Sequence, residues 1–326
     1  MVSNPLTWQR VRIDPALSRA WTRSGDLVLG FNSIVADKAH QSHDWLALFD
    51  GTRSATALIE SATAMGIDSA QARLRLEQLA NSGAIFQVDT LPAALGNSRI
   101  VFDARAVGQQ CTRSGLEVAA LRQTTRILVR GIGAFCYQAV QQLDELGYLV
   151  GWQCDSAQRI TLEDIQLGKL PHEWMGRRWS DVGREVVEPQ FVIEVNDVID
   201  FATIDMKFAR SNVLPVQLRG QEAMIGPLLG HAAEMCGRCI YEAQVAANAD
   251  WPLLLTQWLH HRRAIPLLSV ASLNYVLAQV MVSVEFFASH GISADLGMSL
   301  HCSFPEPKWR EVTWQRGIAS DCSCYK

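Results

Sequence analysis

A strand, a glycine turn, a helix and a second strand follow one another in mid-chain, and this pattern constrains the fold most. The apolar run "RILV" at residues 126–129 leads into "RGIGAFCYQAVQQLDELGY", and residues 149–154 then have the pattern of another strand. Two strands joined in this way form a βαβ unit. Further apolar strands are predicted at 190–195 and 213–218. The sequence therefore predicts an α/β domain of Rossmann-like type.

The turn after the first of these strands begins as a dinucleotide-binding fingerprint does. Gly131 and Gly133 occupy its first two glycine positions, and Cys136 stands where a third small residue is expected. Asp155 follows the second strand, where an acidic residue can meet a ribose. A triphosphate also needs several basic groups and a metal-binding carboxylate, but only Arg159 supplies a positive charge in the segment just after Asp155. We therefore expect a degenerate nucleotide site without ATP chemistry; the alternative is a plain strand-to-helix turn.

The first ninety residues have a different pattern, in which short strands surround three helices. Strands are predicted at 8–13, 27–31, 33–36 and 85–88, and helices at 43–49, 54–65 and 69–82. Strands and three short helices in this order describe a winged helix-turn-helix. Its last helix carries only Arg73 and Arg75 as basic residues, too few for a DNA-reading surface. We predict a winged-helix domain over residues 1–90, a linker, and an α/β domain over residues 97–326.

Four of the eight cysteines are arranged as two close pairs. Cys236 and Cys239 have the spacing of metal ligands on a short turn, and Cys322 and Cys324 would face one side of an extended chain. The alternative, that they are small core residues, fits the isolated cysteines better than a pair in the polar tail "DCSCYK". We predict a closed structural zinc site made by the four thiolates.

Composition excludes several classes of partner. The chain is 48% hydrophobic and 19% charged, with a net charge of −4, which gives no reason to expect nucleic acid or an anionic membrane. The longest apolar run, near residues 271–288, contains Asn274, Gln279 and Glu285, so we predict a buried helix there rather than a membrane span. The first residues lack the apolar core of a signal peptide, and we expect a cytoplasmic protein.

Three segments together resemble a known family. They are "LFDGTRS" at residues 48–54, "IGPLLGHAAEMCGRC" at 225–239 and "ASDCSC" at 319–324. The chain resembles the ThiF-like, ubiquitin-activating-enzyme-like partner proteins of azol(in)e-forming peptide (RiPP) biosynthesis. Phe49 takes the leucine position of the family's Leu-Asp-Gly-Thr signature, and the His-Pro that usually precedes the terminal Cys-x-Cys is missing. The resemblance covers nearly the whole chain.

The resemblance implies that the first domain is a RiPP recognition element, which binds the leader of a precursor peptide. The leader would add as a strand to the edge of the small sheet, in a groove between residues 33–37 and the helix at 69–82. The candidate contacts are Ile34, Val35, Leu74 and Gln78. The alternative for these four residues, and above all for Leu74, is core packing.

The resemblance also implies the role of the second domain. It would dock to a YcaO-type heterocyclase, which uses ATP on the backbone amide at Cys, Ser or Thr, and a flavin dehydrogenase could join the complex. It would form a homodimer, with a contribution from the helix at 269–288. Two other functions stay open: an ATP-dependent ThiF-like enzyme that adenylates a peptide carboxylate, and a zinc-containing winged-helix regulator that binds DNA.

Overall fold

The chain divides into two units of dense internal contact, Met1–Ala120 and Leu121–Lys326. The structure is a computed structural model of the 326-residue chain. It describes residues 4–13, 19–21, 27–29, 33–35, 41–82, 84–87, 103–104, 107, 115–131, 133–154, 156–207, 211–230, 235–260, 268–290, 297–315 and 317. The linker predicted between residues 90 and 97 lies outside the described residues.

Two small antiparallel sheets and the helices α1 to α3 make up most of what the structure describes in the first unit. Its elements are β1 (Val11–Ile13), β2 (Arg19–Trp21), β3 (Leu27–Leu29), β4 (Ser33–Val35), α1 (Gln41–Ala47), α2 (Ala55–Ala64), α3 (Ser69–Asn81) and β5 (Ile85–Gln87). Strand β1 pairs with β5, and the second sheet has the order β2-β3-β4. The predicted helices and the strand pattern are confirmed within a few residues, whereas the sequence pattern does not predict β2.

Local sequence explains where the helices of this unit begin. The Ser54 hydroxyl accepts a hydrogen bond from the Ala57 amide at 3.1 Å, and the Asp68 carboxylate accepts bonds from the amides of Ala70 and Gln71. Each side chain satisfies amides that have no partner inside the helix. The helices then bury one face each in a shared apolar core, whose fully buried members include Trp45, Leu58, Leu76, Leu79 and Ile85.

The second unit is built on a seven-stranded mixed sheet. Its elements are α4 (Gly115–Thr124, whose residues 115–120 fall before the unit boundary), β6 (Arg126–Arg130), α5 (Ala134–Glu145), β7 (Leu149–Gln153), α6 (Leu162–Gly168), β8 (Phe191–Asn196), α7 (Phe201–Lys207), β9 (Asn212–Arg219), β10 (Glu222–Ile225), α8 (Gly237–Ala247), α9 (Trp251–His260), α10 (Val270–His290), β11 (Met298–Ser303) and β12 (Arg310–Thr313). The strand order is β12-β11-β10-β9-β8-β6-β7. Strands β7, β6, β8 and β9 are parallel, and the remaining pairs are antiparallel. The predicted α/β class is confirmed.

Both faces of this sheet are covered, so its central strands are apolar throughout. Ile127 and Val129 of β6 belong to a core that also contains α5 and α10, while Leu128 belongs to a second core with α7 and α8. Successive residues of a strand point to opposite faces, which explains the division. A buried ion pair also ties α4 to α10, because Arg122 donates to both carboxylate oxygens of Glu285, at 3.1 and 2.6 Å. Within the described residues, no helix is long and apolar enough to cross a lipid bilayer.

Candidate functional site

The strand order has a switch point between β6 and β8, the place where an open α/β sheet has its ligand crevice. The chain leaves β6 to form β7 on one side, and later returns to form β8 on the other side of β6. Ligands of open α/β sheets bind at such a switch point, outside the carboxyl ends of the strands. The turn that contains Gly131 and Gly133 lies at this place, between β6 and α5. The position predicted for the glycine turn is therefore the one where an α/β sheet has its ligand crevice.

The backbone of this turn requires both glycines. Gly131 has a φ of 140° and Gly133 a φ of 96°, values that side chains with a Cβ rarely adopt. A Cβ on Gly131 would clash with the backbone oxygen of Val195, at the end of β8. The expected tight turn and close backbone approach are therefore present, but the group approached is the neighbouring strand. A phosphate contact at the turn stays a prediction, and Asp155 lies outside the described residues.

An ion pair lies across the two strands that border the crevice. Arg130 and Glu194 are in register at the ends of β6 and β8, and Arg130 Nη1 lies 3.4 Å from Glu194 Oε2. Asn196 Nδ2 donates to the other carboxylate oxygen at 2.8 Å. Glu194 is only 7% exposed. The guanidinium at the strand end is thus already paired with a carboxylate, which reduces its capacity to bind a phosphate.

Cys136 serves as packing rather than as a reactive thiol. It is buried against the glycine turn, and a Cβ on Gly131 would lie 3.0 Å from its sulfur. Burial raises the pKa of the Cys136 thiol well above its ordinary value, and the nearby Cys154 and Glu194 raise it further. Only a thiolate is a strong nucleophile. This residue therefore fills the small-residue position of the fingerprint without contributing chemistry.

An aromatic cluster contacts the glycine turn through a hydrogen bond from Trp152. The Trp152 indole donates its N–H to the Gly131 carbonyl at 3.1 Å. Trp152 contacts Trp179 with ring centroids 5.7 Å apart, and Tyr137 contacts Trp174 at 5.4 Å. The sequence pattern does not reveal this cluster, because its members lie on different elements and no local spacing links them.

The structure places the first cysteine pair at the start of α8. Cys236 is the N-cap residue and Cys239 lies in the first helical turn, so the short turn predicted for the pair is the first turn of a helix. Both side chains are buried, at 4% and 0% exposure, and neither forms a disulfide. Two thiols at this spacing fit half of a tetrahedral zinc site.

Near the end of the described residues, the chain packs against the apolar cluster that contains this cysteine pair. Trp314, just after β12, packs on the same apolar cluster that contains Cys236 and Cys239. Cys322 follows Trp314 by eight residues, a length that can span at most about 26–29 Å. Cys322 and Cys324 lie outside the described residues. Among the residues that are described, no group of three or more candidate ligands occurs, so the four-thiolate site stays a prediction.

The four predicted peptide contacts lie on two elements of the first unit. Ile34 and Val35 are in β4, opposite Val28 and Leu27 of β3, and β4 is the last strand in the order of its sheet. The side chains of β4 lie outside the description. Leu74 is 55% exposed and Gln78 is exposed one turn later. The core-packing alternative is therefore wrong for Leu74, because α3 buries a different face, made by Ala72, Arg75, Leu76 and Leu79.

A groove of about 620 Å³ lies elsewhere on the first unit, and the sequence pattern does not predict it. It runs between the short 3-10 helix Pro5–Thr7, α2 and the start of α3. Its lining residues are Leu6, Thr56, Ile59, Glu60, Thr63, Ala64, Ser69 and Arg73. On α3, Ser69 and Arg73 form a face separate from Leu74 and Gln78.

Comparison with known proteins identifies relatives in fold. No protein-family model matches the sequence, and no curated protein matches it either. The structure of E. coli MccB with succinimide superposes with a TM-score of 0.67 at 13% identity, covering 97% of this chain and 99% of that one. The chain has the MccB fold. The microcin C7 biosynthetic enzyme MccB in complex with N-formylated MccA gives a TM-score of 0.63 at 13% identity, with the same coverage.

A second relative in fold is larger. The heterocyclase TruD superposes with a TM-score of 0.63 at 12% identity, over 93% of this chain and 41% of TruD. More than half of TruD therefore has no counterpart here. At these identities the likeness shows the fold alone.

Proposed function

We propose that this protein binds the leader of a ribosomally made precursor peptide and delivers the core peptide to a YcaO-type heterocyclase. That partner would use ATP to form azoline or azole rings. The observation that carries the proposal is the fold likeness over 97% of the chain to MccB, a microcin biosynthetic enzyme solved in complex with MccA. The likeness to the heterocyclase TruD supports the same type of pathway.

The first unit, as a RiPP recognition element of winged-helix type, would hold the leader. A strand with an unpaired edge can accept a peptide through main-chain hydrogen bonds, and pockets for alternate side chains add specificity. Strand β4 has the required edge position. Leu74 is a large apolar side chain left exposed on α3, and Gln78 beside it can exchange hydrogen bonds with a peptide. These two side chains are the best supported part of the proposed leader site.

The four cysteines would hold a structural zinc ion that fixes the end of the chain to the start of α8. The metal would connect segments rather than act on a substrate, since four thiolates leave no open coordination position. Two observations support this part: the buried pair Cys236 and Cys239, and the packing of Trp314 on the same cluster.

A homodimer through the second unit is also part of the proposal. Helix α10 exposes Tyr275, Val282 and Phe286, at 40%, 61% and 42%, along with small residues. Exposed apolar faces of this kind mark interaction surfaces. A second copy of the chain would cover them, and a flavin dehydrogenase could join the same complex.

Adenylation of a peptide carboxylate is the second candidate function. MccB has been solved with ATP and with AMPCPP, and this chain keeps the glycine turn at the switch point of the sheet. The Arg130–Glu194 ion pair favours the delivery function, because it leaves that guanidinium neutralised.

One set of measurements separates the candidate functions. Labelled precursor peptides encoded by neighbouring genes are titrated with the protein, and pyrophosphate release is followed with ATP and magnesium. Leader binding without pyrophosphate release supports delivery, and pyrophosphate release by the chain alone supports adenylation. Salt-sensitive binding of duplex DNA, with no affinity for any leader, would instead favour a DNA-binding regulator.

A further inference from the structure

Two arginines lie side by side on an isolated antiparallel bridge of the second unit. The bridge pairs Arg159 with Arg178. Backbone hydrogen bonds flank it on both sides: the Trp179 amide donates to the Gln158 carbonyl at 3.0 Å, and the Ile160 amide donates to the Arg177 carbonyl at 2.9 Å. Residues paired directly across antiparallel strands project to the same side. The two guanidinium groups therefore leave the backbone together.

The neighbours of the two arginines anchor this bridge firmly. Ile160 is 2% exposed and Trp179 is fully buried. Each strand of the bridge therefore has a buried side chain next to its arginine. Helix α6 begins two residues after Ile160 with a capping box between Thr161 and Asp164. Arg159 Nη1 also donates to the Gly176 carbonyl at 2.6 Å. The backbone of the bridge is thus anchored, and a hydrogen bond orients the guanidinium of Arg159.

Like charges in this arrangement are unfavourable unless something else offsets them. Two cations directly opposite each other destabilise an antiparallel pair. Arg159 and Arg178 are exposed, and neither has a carboxylate partner among the residues that the structure describes. Arg184 of the same region, in contrast, pairs with Asp144 at 3.1 Å. The unfavourable pair is consistent with a surface whose acidic partner comes from outside.

Two exposed apolar side chains lie near the two arginines in the sequence. Leu162 is 50% exposed and Met175 is 56% exposed, and each lies three residues from one of the arginines along the chain. Arg and Met are enriched in protein–protein interfaces, where lysine is depleted. Arg159, Leu162, Met175 and Arg178 are called the arginine patch below.

The geometry points to the arginine patch as a docking surface for an acidic segment of a partner protein. Carboxylates of that segment pair with the forked guanidinium groups of Arg159 and Arg178, and one of its apolar side chains packs against Leu162 and Met175. A nucleic acid fits less well, because it needs an extended basic surface, whereas the patch has two arginines and the net charge of the chain is −4. The docking surface lies on the second unit, whereas the leader site proposed above lies on the first, so the two proposals can fail separately.

A defined acidic peptide tests the docking surface. A fluorescein-labelled peptide of glutamates with one central leucine is titrated with the full chain at low salt, and anisotropy reports binding. The double variant Arg159→Glu/Arg178→Glu should bind at least about tenfold more weakly, since two ion pairs become repulsive. It should instead bind the matching lysine peptide. Lys308→Glu is the control for a charge reversal outside the patch, because Lys308 is exposed, and it is compared with Arg159→Glu and Arg178→Glu made singly.

The results of this titration decide which kind of partner binds the arginine patch. Wild-type binding that only the patch variant loses supports the docking surface. Equal binding by wild type and the double variant overturns it. Displacement of the peptide by millimolar inorganic phosphate, or tighter binding of a duplex DNA through the same arginines, also overturns it in favour of a phosphate site. Circular dichroism should show that the double variant stays folded, since both arginines are exposed, and thermal melting measures the loss of the Arg159–Gly176 hydrogen bond separately.

Discussion

Replacing Gly131 with alanine tests the geometry of the crevice. At a φ of 140°, a residue with a Cβ is strained by about 1–3 kcal/mol. The new Cβ would also meet the Val195 oxygen of β8, and forcing extra atoms into a packed site costs about 1–3 kcal/mol more. We expect the free energy of unfolding to fall by about 3 kcal/mol or more, which lowers the melting temperature by about 6–12 °C for a unit of this size.

Gly176 provides the matched control for this variant. Its φ is 79°, but no atom lies within 4 Å of the position that a Cβ would take. Gly176→Ala should therefore show conformational strain alone, about 1 kcal/mol. Scanning calorimetry of both variants, with tryptophan fluorescence to follow Trp152 and Trp179 beside the turn, measures the difference. If Gly131→Ala costs no more than Gly176→Ala, the turn does not approach β8 as described.

Three further predictions address zinc, leader binding and pH. Elemental analysis of untagged protein should find one zinc per chain, lost in Cys239→Ser but retained in Cys154→Ala; zinc-free wild type would refute the four-thiolate site. Leu74→Glu should weaken leader binding about tenfold, or 1.4 kcal/mol, without a change in melting temperature, whereas Leu253→Glu on the exposed part of α9 should leave binding intact. Burial, and then the charge of Arg310, lower the pKa of His301 from its ordinary value of 6.5. The unfolded chain therefore binds this proton more tightly, so the contribution of His301 to stability is complete above pH 6.5 and is lost as pH falls below it. Urea unfolding at pH 7.5 and 5.5 should show a smaller loss in His301→Gln than in wild type, and an equal loss would contradict the role of His301.

Elements with a strong local pattern could be predicted from the sequence. Helix α3 has an acidic N-cap and apolar residues at helical spacing, and β6, the glycine turn, α5 and β7 follow one another without interruption. Strand β2 and the start of α8 have weaker local signals. The short strand β2 is stabilised by pairing with β3, which no local pattern displays, and the apolar face of α8 is buried against α7.

The candidate sites also differ in how far the sequence predicts them. Ligand spacing singles out the pair Cys236 and Cys239 without any knowledge of the fold. The spacing of Ala72, Leu76 and Leu79 places Leu74 on the opposite face of α3, but only the tertiary structure shows that nothing in the first unit covers that side chain enough to bury it.

The sequence alone thus determined the α/β class, the succession of β6, α5 and β7 and the need for glycine at 131 and 133, since these depend on neighbours along the chain. Tertiary structure decided the strand order that opens the crevice, the Arg130–Glu194 ion pair across it and the pairing of Arg159 with Arg178. These contacts join residues that are far apart in sequence, and the register between the paired segments is set by how whole elements bury their apolar faces.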